Sequence, residues 1–304
     1  MQKQINNYLR LVAFSHTIFA MPFAMVGFFL GMRNSFSVMD TAMDTRGLQD
    51  AFSVELLQRL ALVVGCMVFA RSAAMAFNRY LDRSFDARNP RTAGREIPAG
   101  LVSPGAALLF TIVNSVLFSV CTFFINPLCF YLSPVALLVV LGYSYTKRFT
   151  MLCHVVLGLG LSLAPLGAFL AVTGQFASLP VLFSLLVLCW VSGFDIIYSL
   201  QDEEFDRSQQ LLSIPVWLGK QKALHLSRGL HVICGVLVLL AGWWGGFNVL
   251  YWVGAAVFVA MLYYQHSLVK PNDLRRVDRA FMTVNGIASV CFALFLIADL
   301  FIFS

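Results

Sequence analysis

An amide and two carboxylates recur at every fourth position in one short stretch of this 304-residue chain, Asn78-x-x-x-Asp82-x-x-x-Asp86. In a helix, a spacing of four turns each side chain by about 40° from the last, so all three lie on one face. We name these three residues the first acidic motif. Oxygen ligands of this kind suit a hard divalent cation, and Mg²⁺ is the commonest where phosphate is a co-ligand.

A second cluster of acids lies more than 100 residues further on. Asp195, Tyr198, Asp202 and Asp206 point in helical directions of about 0°, 300°, 340° and 20°, again on one face. We name these four residues the second acidic motif. Like charges one helical turn apart repel, and carboxylates near a membrane core are costly, so we expect a cation between two motifs that face a shared gap. The alternative is that both are solvated helix ends rich in aspartate.

Basic residues follow the first motif in a loop that contains proline and glycine. Arg88, Arg91 and Arg95 lie in this loop, and Lys147 with Arg148 lies in a second loop. Arginine side chains fit phosphate oxygens, so we predict that these five residues bind the diphosphate of a metal-bridged substrate. The alternative is that they set membrane topology or contact lipid headgroups.

Arg71 is unusual because it lies within an apolar stretch, where an arginine costs about 3 kcal/mol or more unless it is paired. It precedes Asn78 by seven residues, hence on the same helix face. It could pair with a carboxylate such as Asp195, or bind a carboxylate or phenol of a substrate. The five histidines show no ligand spacing, and we expect most to be hydrogen-bonded inside helices; only His16 is singled out for testing.

The composition requires that these motifs be positioned by membrane helices. Apolar residues make up 59% of the chain and charged residues only 12%, which excludes an ordinary soluble fold. A bilayer core needs about 20 apolar residues per helix. Runs of that length predict an all-α membrane protein with nine transmembrane helices in a single domain, 1–304. The predicted spans are 12–32, 56–80, 104–124, 127–146, 152–173, 179–200, 223–244, 247–267 and 280–303.

The basic residues also predict the orientation of these spans. Seventeen of the 21 lie at the N-terminus or in the loops after spans two, four, six and eight, and only Arg33 and Arg46 lie on the opposite face. By the positive-inside rule, the N-terminus and both acidic motifs are expected at the cytoplasmic face. The net charge of +6 is therefore a topology signal, and we expect the lipid bilayer as a partner and no nucleic acid.

The two motifs resemble a known family. NRYLDRSFD with the following RNPRTAGREIPAG, and DIIYSLQDEEFD, resemble the two aspartate motifs of the UbiA superfamily of intramembrane aromatic prenyltransferases. SHTIFAMPFA, GYSYTKRFT and LAPLGAFLAVTG extend the likeness along almost the whole chain. The sequence is most similar to the 4-hydroxybenzoate polyprenyltransferase branch. Within it, HTIFAMPFA and PNDLRRVDRAFMTVNG resemble members that prenylate a dihydroxynaphthoate for menaquinone.

The resemblance implies a helical bundle around a central cavity, in the bacterial inner membrane, that transfers a polyprenyl group from polyprenyl diphosphate to an aromatic acceptor. It implies Mg²⁺ held by Asn78, Asp82, Asp86, Asp202 and Asp206. We take Asp195, Tyr198, Asp202 and Arg71 as the candidate catalytic residues. The acceptor is expected to be 4-hydroxybenzoate or, alternatively, 1,4-dihydroxy-6-naphthoate. Rivals from other classes are a cation transporter and a membrane scaffold.

Overall fold

The computed structural model describes residues 2–12, 19–40 and 54–303, and all the regular secondary structure in these ranges is helical. One helix continues as a 3₁₀ turn, Leu200–Asp202, and another begins with a π turn, Arg279–Val284. The helices are α1 (Gln2–Leu11), α2 (Met21–Asp40), α3 (Val54–Arg88), α4 (Pro104–Ile125), α5 (Pro127–Thr146), α6 (Cys153–Thr173), α7 (Ser178–Ser199), α8 (Glu203–Ser208), α9 (Ile214–Trp244), α10 (Val249–Leu268) and α11 (Asn285–Ile302).

Eight helices in the described ranges are long and apolar enough to cross a membrane, and they match the last eight predicted spans. The chain is therefore a multi-pass, all-helical membrane protein, as predicted. The first predicted span, 12–32, overlaps α2 but includes residues 13–18, which lie outside the described ranges, as does His16. The count of nine and the cytoplasmic N-terminus stay predictions.

Local sequence signals explain where several helices begin and end. Ser103 caps α4 by accepting a hydrogen bond from the Ala106 amide, and Pro104 occupies the first helical position. Asn126 caps α5 in the same way through the Cys129 amide at 2.8 Å. Gly174 ends α6 with a φ of 64°, a left-handed conformation that glycine adopts without strain. These caps satisfy backbone groups that hydrocarbon could not.

The helices form a bundle with a central aromatic core. In sequence order, α3 packs on α4, α5 on α6, α6 on α7, α7 on α9, and α10 on α11, while α2 packs between α6 and α11. Phe23, Trp190, Phe258 and Phe292 are fully buried where α2, α7, α10 and α11 meet. The indole nitrogen of Trp190 donates a hydrogen bond to Asn285 Oδ1 at 3.1 Å, so the one polar atom of this ring is satisfied.

A glycine allows α2 to pack closely against α6. A Cβ atom at Gly27 of α2 would lie 2.0 Å from the carbonyl oxygen of Pro165 in α6, which no side chain can tolerate. Small residues allow such contact between membrane helices, where packing rather than the hydrophobic effect holds helices together. The packed bundle thereby brings the ends of α3, α5, α6 and α7 together, and these ends carry the acidic motifs and their loops.

Candidate active site

The first acidic motif lies on the last three turns of α3, which continues without a break to Arg88. Asn78 Nδ2 donates to Asp82 Oδ2 at 3.2 Å, so two members of the motif contact each other directly. Asp86, one turn further on, is buried. The helical spacing thus presents these side chains together, as the sequence predicts.

The second acidic motif crosses a change of helix type. Asp195 and Tyr198 lie on α7, Asp202 ends the 3₁₀ turn, and Asp206 lies on α8. From Val191 to Leu200, only Asp195 and Tyr198 keep appreciable exposed surface. Asp206 is 1% exposed.

The loop after α3 links the first motif to the second. Arg91 Nε donates to Asp202 Oδ1 at 3.0 Å, its Nη2 pairs with Asp202 Oδ2, and its Nη1 donates to the Tyr198 hydroxyl at 3.0 Å. Asn89 Nδ2 also donates to Asp202 Oδ1, at 3.3 Å. Because Arg91 follows Asp86 by only five residues, the second motif lies directly beside the end of α3.

The loop between α5 and α6 contacts both motifs through consecutive residues. Lys147 Nζ lies 2.7 Å from Asp206 Oδ1, whereas Arg148 Nη2 lies 2.8 Å from Asp82 Oδ1. One short loop therefore joins the two acidic faces. The prediction that the two motifs converge is confirmed.

Asp86, the remaining acid of the first motif, belongs to the same network of ion pairs between loop residues and acids. Arg95 Nη1 lies 2.6 Å from Asp86 Oδ1. Four carboxylates are thus paired with four basic residues at one end of the bundle. These arginine and lysine side chains supply part of the positive charge that is expected between the motifs.

Two carboxylate oxygens of this network are buried and accept no hydrogen bond from the described residues, Asp86 Oδ2 and Asp206 Oδ2. An unpaired buried carboxylate oxygen is costly, and a bound cation would satisfy it. Within residues 2–12, 19–40 and 54–303, no three His, Cys, Asp or Glu side chains lie close enough together to hold one metal ion by themselves. The donors fit a hard divalent ion that also uses phosphate oxygens as ligands.

Two basic residues of the loops remain cationic in this setting. Burial favours the neutral form of Lys147, but the attraction of Asp206 outweighs it and raises the pKa of Lys147. Burial opposes the charge of Arg91 in the same way, and its hydrogen bonds to Asp202 raise its pKa. Both side chains therefore carry full charge near neutral pH and can bind phosphate.

Deeper in the bundle, His154 in the first turn of α6 binds the innermost acid of the second motif. Its Nδ1 atom lies 2.6 Å from Asp195 Oδ2, and its side chain is only 3% exposed. The ring of Tyr143 on α5 lies within electrostatic range of Arg71, Asp82 and Asp195. Sequence reasoning did not select His154, Tyr143 or Asn89. Tyr143 precedes Lys147 by four residues, which is the one signal that could have indicated it.

Arg88 differs from the other four predicted diphosphate residues. It is exposed, donates to the carbonyl of Ser84 at 3.1 Å and stacks on the Phe85 ring. The structure brings Arg91, Arg95, Lys147 and Arg148 to the acidic motifs but does not bring Arg88 there. Its role in diphosphate binding stays a prediction, as does the catalytic role of Arg71.

Comparison with known proteins places the chain in a family. Residues 20–287 match the UbiA prenyltransferase family. A 4-hydroxybenzoate octaprenyltransferase of Tolumonas auensis is 32% identical over 237 residues, which cover 77% of this chain and 82% of that protein. One from Saccharophagus degradans is 30% identical over 234 residues, 77% of this chain and 78% of that protein.

Solved structures show the same fold. The apo structure of a UbiA homolog from Aeropyrum pernix K1 matches with a TM-score of 0.79 and 30% identity, over 93% of this chain and 98% of that one. A UbiA homolog from Archaeoglobus fulgidus bound to DMAPP and Mg²⁺ matches with a TM-score of 0.74 and 20% identity, over 97% and 99% of the two chains. The chain belongs to the UbiA prenyltransferase family, which confirms the prediction of an aromatic prenyltransferase from its two aspartate motifs.

Proposed function

We propose that this protein uses Mg²⁺ to transfer a polyprenyl group from polyprenyl diphosphate to a hydroxylated aromatic carboxylate of the 4-hydroxybenzoate type. The observation that carries the proposal is the set of four ion pairs, Asp82–Arg148, Asp86–Arg95, Asp202–Arg91 and Asp206–Lys147, that joins both acidic motifs at one end of the bundle. The names of the curated relatives support the choice of acceptor.

The basic residues of the network are proposed to bind the diphosphate. Their side chains are 26–32% exposed, so phosphate oxygens can reach them. A diphosphate would take over part of their hydrogen bonding from the carboxylates, and guanidinium groups bind such oxygens in pairs. The carboxylate oxygens released by this exchange become free to bind a divalent cation.

The metal is assigned to Asn78, Asp82 and Asp86 of the first motif and to Asp202 and Asp206 of the second. When bound, Mg²⁺ would neutralise the charge that develops on the departing diphosphate. Asp86 Oδ2 and Asp206 Oδ2 support this assignment, since both are buried without a hydrogen-bond partner among the described residues. The Mg²⁺ in the Archaeoglobus fulgidus homolog is consistent with it.

The acceptor is proposed to lie on the membrane side of the diphosphate. Arg71, one of the candidate catalytic residues, is seven residues deeper in α3 than Asn78, and we assign it to the acceptor's carboxylate or phenol oxygen. Tyr198 stacks on Phe281 with ring centroids 4.2 Å apart, so an aromatic wall lies beside Asp202. Such a wall excludes water and stabilises the positive charge of an allylic cation.

We further propose that this end of the bundle faces the cytoplasm of a bacterial cell, across its inner membrane. The excess of basic residues on that face supports this orientation. A cation transporter would need acids along a path through the membrane. The acids of the four ion pairs instead lie at helix ends and are bound by loop arginines and lysine, which favours the transferase.

The decisive experiment supplies the purified protein with a polyprenyl diphosphate, Mg²⁺ and equal amounts of 4-hydroxybenzoate and 1,4-dihydroxy-6-naphthoate, and identifies products by mass. We expect a prenylated 4-hydroxybenzoate that is not formed when Mg²⁺ is chelated. If only prenylated naphthoate forms, the acceptor is the alternative, 1,4-dihydroxy-6-naphthoate. No product from either acceptor would contradict the proposed function.

Substitutions in the same assay test the site. Asp82→Asn is expected to lower product formation by about 100-fold or more without loss of folded protein. Glu204→Gln is the matched control, because this carboxylate is 90% exposed two residues from Asp206 and outside the four ion pairs. Equal activity of Asp82→Asn and wild type would contradict the metal assignment.

A further inference from the structure

His154 is a buried side chain that contacts Asp195, an acid of the second motif. Its Nδ1 atom lies 2.6 Å from Asp195 Oδ2, and its Nε2 atom lies 3.5 Å from Ser199 Oγ. The Ser199 hydroxyl donates to the Ile196 carbonyl at 2.9 Å, so it presents a lone pair to the imidazole. Both ring nitrogens therefore face acceptors, which makes His154 a hydrogen-bond donor to Asp195.

Asp195 contacts His154, and part of its side chain remains exposed. His154 is 3% exposed, whereas the Asp195 side chain is 20% exposed, so Asp195 keeps accessible surface although His154 contacts its Oδ2 atom. Tyr198 lies one turn away on the same helix face and is the other partly exposed residue between Val191 and Leu200. Asp195 and Tyr198 therefore share the partly exposed face of α7, and Arg91 binds the Tyr198 hydroxyl on this face.

The depth of Asp195 distinguishes it from the diphosphate-binding acids. It precedes Asp202 by seven residues, which is about 10 Å along a helix. Arg71, the residue assigned to the acceptor, likewise precedes Asn78 of the first motif by seven residues. With the acceptor on the membrane side of the diphosphate, as proposed above, a carboxylate at this depth would lie beside the aromatic ring rather than the diphosphate.

Resting on the proposed function, we propose that His154 positions Asp195 as the base that removes the ring proton of the acceptor. The C–O bond of the polyprenyl diphosphate breaks, and its electron pair leaves with the diphosphate. The ring carbon beside the hydroxyl forms the new C–C bond. The proton on that carbon moves to Asp195, the C–H electron pair restores the aromatic ring, and Asp195 then passes the proton to water.

The hydrogen bond from His154 has two roles in this step. It orients the carboxylate so that Oδ1 faces the ring, and it prevents Oδ2 from binding another cation. Asp195 is therefore the catalytic residue and His154 a positioning residue that acts through it.

The test measures kcat with ordinary acceptor and with acceptor deuterated at the carbons beside the hydroxyl. Asp195→Asn should lower kcat by about 10²–10⁴-fold, and His154→Phe by about 10–100-fold. Both should raise the deuterium isotope effect on kcat above that of wild type, because proton removal becomes rate-limiting. The KM for polyprenyl diphosphate should stay close to the wild-type value.

Two further variants separate positioning from a structural role. His154→Asn keeps an N–H donor close to the position of Nδ1 and should recover part of the loss. In the double variant His154→Phe/Asp195→Asn, kcat should equal that of Asp195→Asn alone, because His154 acts only through Asp195. Ser162→Ala on α6 is the matched control, since its buried hydroxyl donates to the Leu159 carbonyl of its own helix and to no other group among the described residues.

The outcomes are distinct. An unchanged isotope effect in His154→Phe and His154→Asn, or losses that add in the double variant, would overturn this inference while wild-type transfer upheld the proposed function. Wild-type protein that transfers no prenyl group to either acceptor would overturn the proposed function and this inference with it.

Discussion

The first acidic motif lies on one unbroken helix, whereas the second crosses an α-helix, a 3₁₀ turn and a short second α-helix. In the first, Asn78 contacts Asp82 within the motif, and Asp86 pairs with Arg95 only nine residues away. In the second, the partner of Asp202 is Arg91, which is 111 residues distant in sequence. Loop arginines pair with both motifs, including Arg148 with Asp82, but the first motif lies on one continuous helix, whereas the second changes helix type between its acids.

This difference indicates where the site is rigid and where it adapts. A continuous helix holds side chains at a set spacing. The 3₁₀ turn has poorer hydrogen-bond geometry, and a short 3₁₀ stretch often marks a functional hinge. We expect the first motif to be preorganised and the second to depend on its basic partners.

Between the two motifs, the largest effect is expected from replacing Asp202, the acid that Arg91 and Asn89 of the loop after α3 both contact. Asp202→Asn weakens the contacts of Arg91 and Asn89 together and should lower kcat by about 10²–10³-fold, at least as much as Asp82→Asn. Turnover of the purified variants with polyprenyl diphosphate measures this. A smaller loss of kcat for Asp202→Asn than for Asp82→Asn would contradict the expectation that the second motif depends more on its basic partners than the first.

The next effect is on stability. Lys147→Met leaves the Asp206 carboxylate, 1% exposed, without its partner and should lower the free energy of unfolding by about 2–3 kcal/mol. Unfolding in detergent measures this, and Lys147→Met/Asp206→Asn should recover most of the loss. Arg148→Met should cost less, because Asp82 is 26% exposed. Equal losses of stability for the two single variants would show that the second motif depends on its basic partners no more than the first motif does.

Arginine geometry provides a third and smaller effect. Arg91 binds Asp202 through two nitrogens and Tyr198 through a third, whereas Arg95 binds Asp86 through one. Arg91→Lys should therefore raise the KM for polyprenyl diphosphate by about tenfold, and Arg95→Lys by less. Arg88→Ala tests the remaining predicted diphosphate residue of this segment and is expected to raise KM by less than Arg91→Lys, because Arg88 is exposed and donates to the Ser84 carbonyl. A KM increase with Arg88→Ala as large as that with Arg91→Lys would instead place Arg88 in the diphosphate site.

The smallest effect tests one hydroxyl of the second motif. Tyr198→Phe removes the acceptor of the 3.0 Å hydrogen bond from Arg91 and keeps the stack on Phe281. We expect kcat/KM to fall by about 2–10-fold, the value of one ordinary hydrogen bond. A loss as large as that of Asp202→Asn would show that the hydroxyl takes part in the chemistry.

Most of the fold followed from the sequence because bilayer thickness dictates span length. The last eight predicted spans agree with membrane helices of the structure. Additional helices, such as α1 and α8, are short segments without enough apolar residues to span the bilayer, so hydropathy did not reveal them. The change from α-helix to 3₁₀ turn after Ser199 was not predicted either, because the helical directions given for the second motif assume a continuous α-helix.

The site could be predicted as a set of residues but not as a set of contacts. The sequence by itself determined the two acidic motifs, the basic loops beside them and the membrane spans, since each depends on local periodicity and composition. Only the tertiary structure decided that Arg91 binds Asp202, that Lys147 and Arg148 contact different motifs, and that His154 holds Asp195. These contacts join residues far apart in the chain, and they depend on how whole helices pack, which no local spacing encodes.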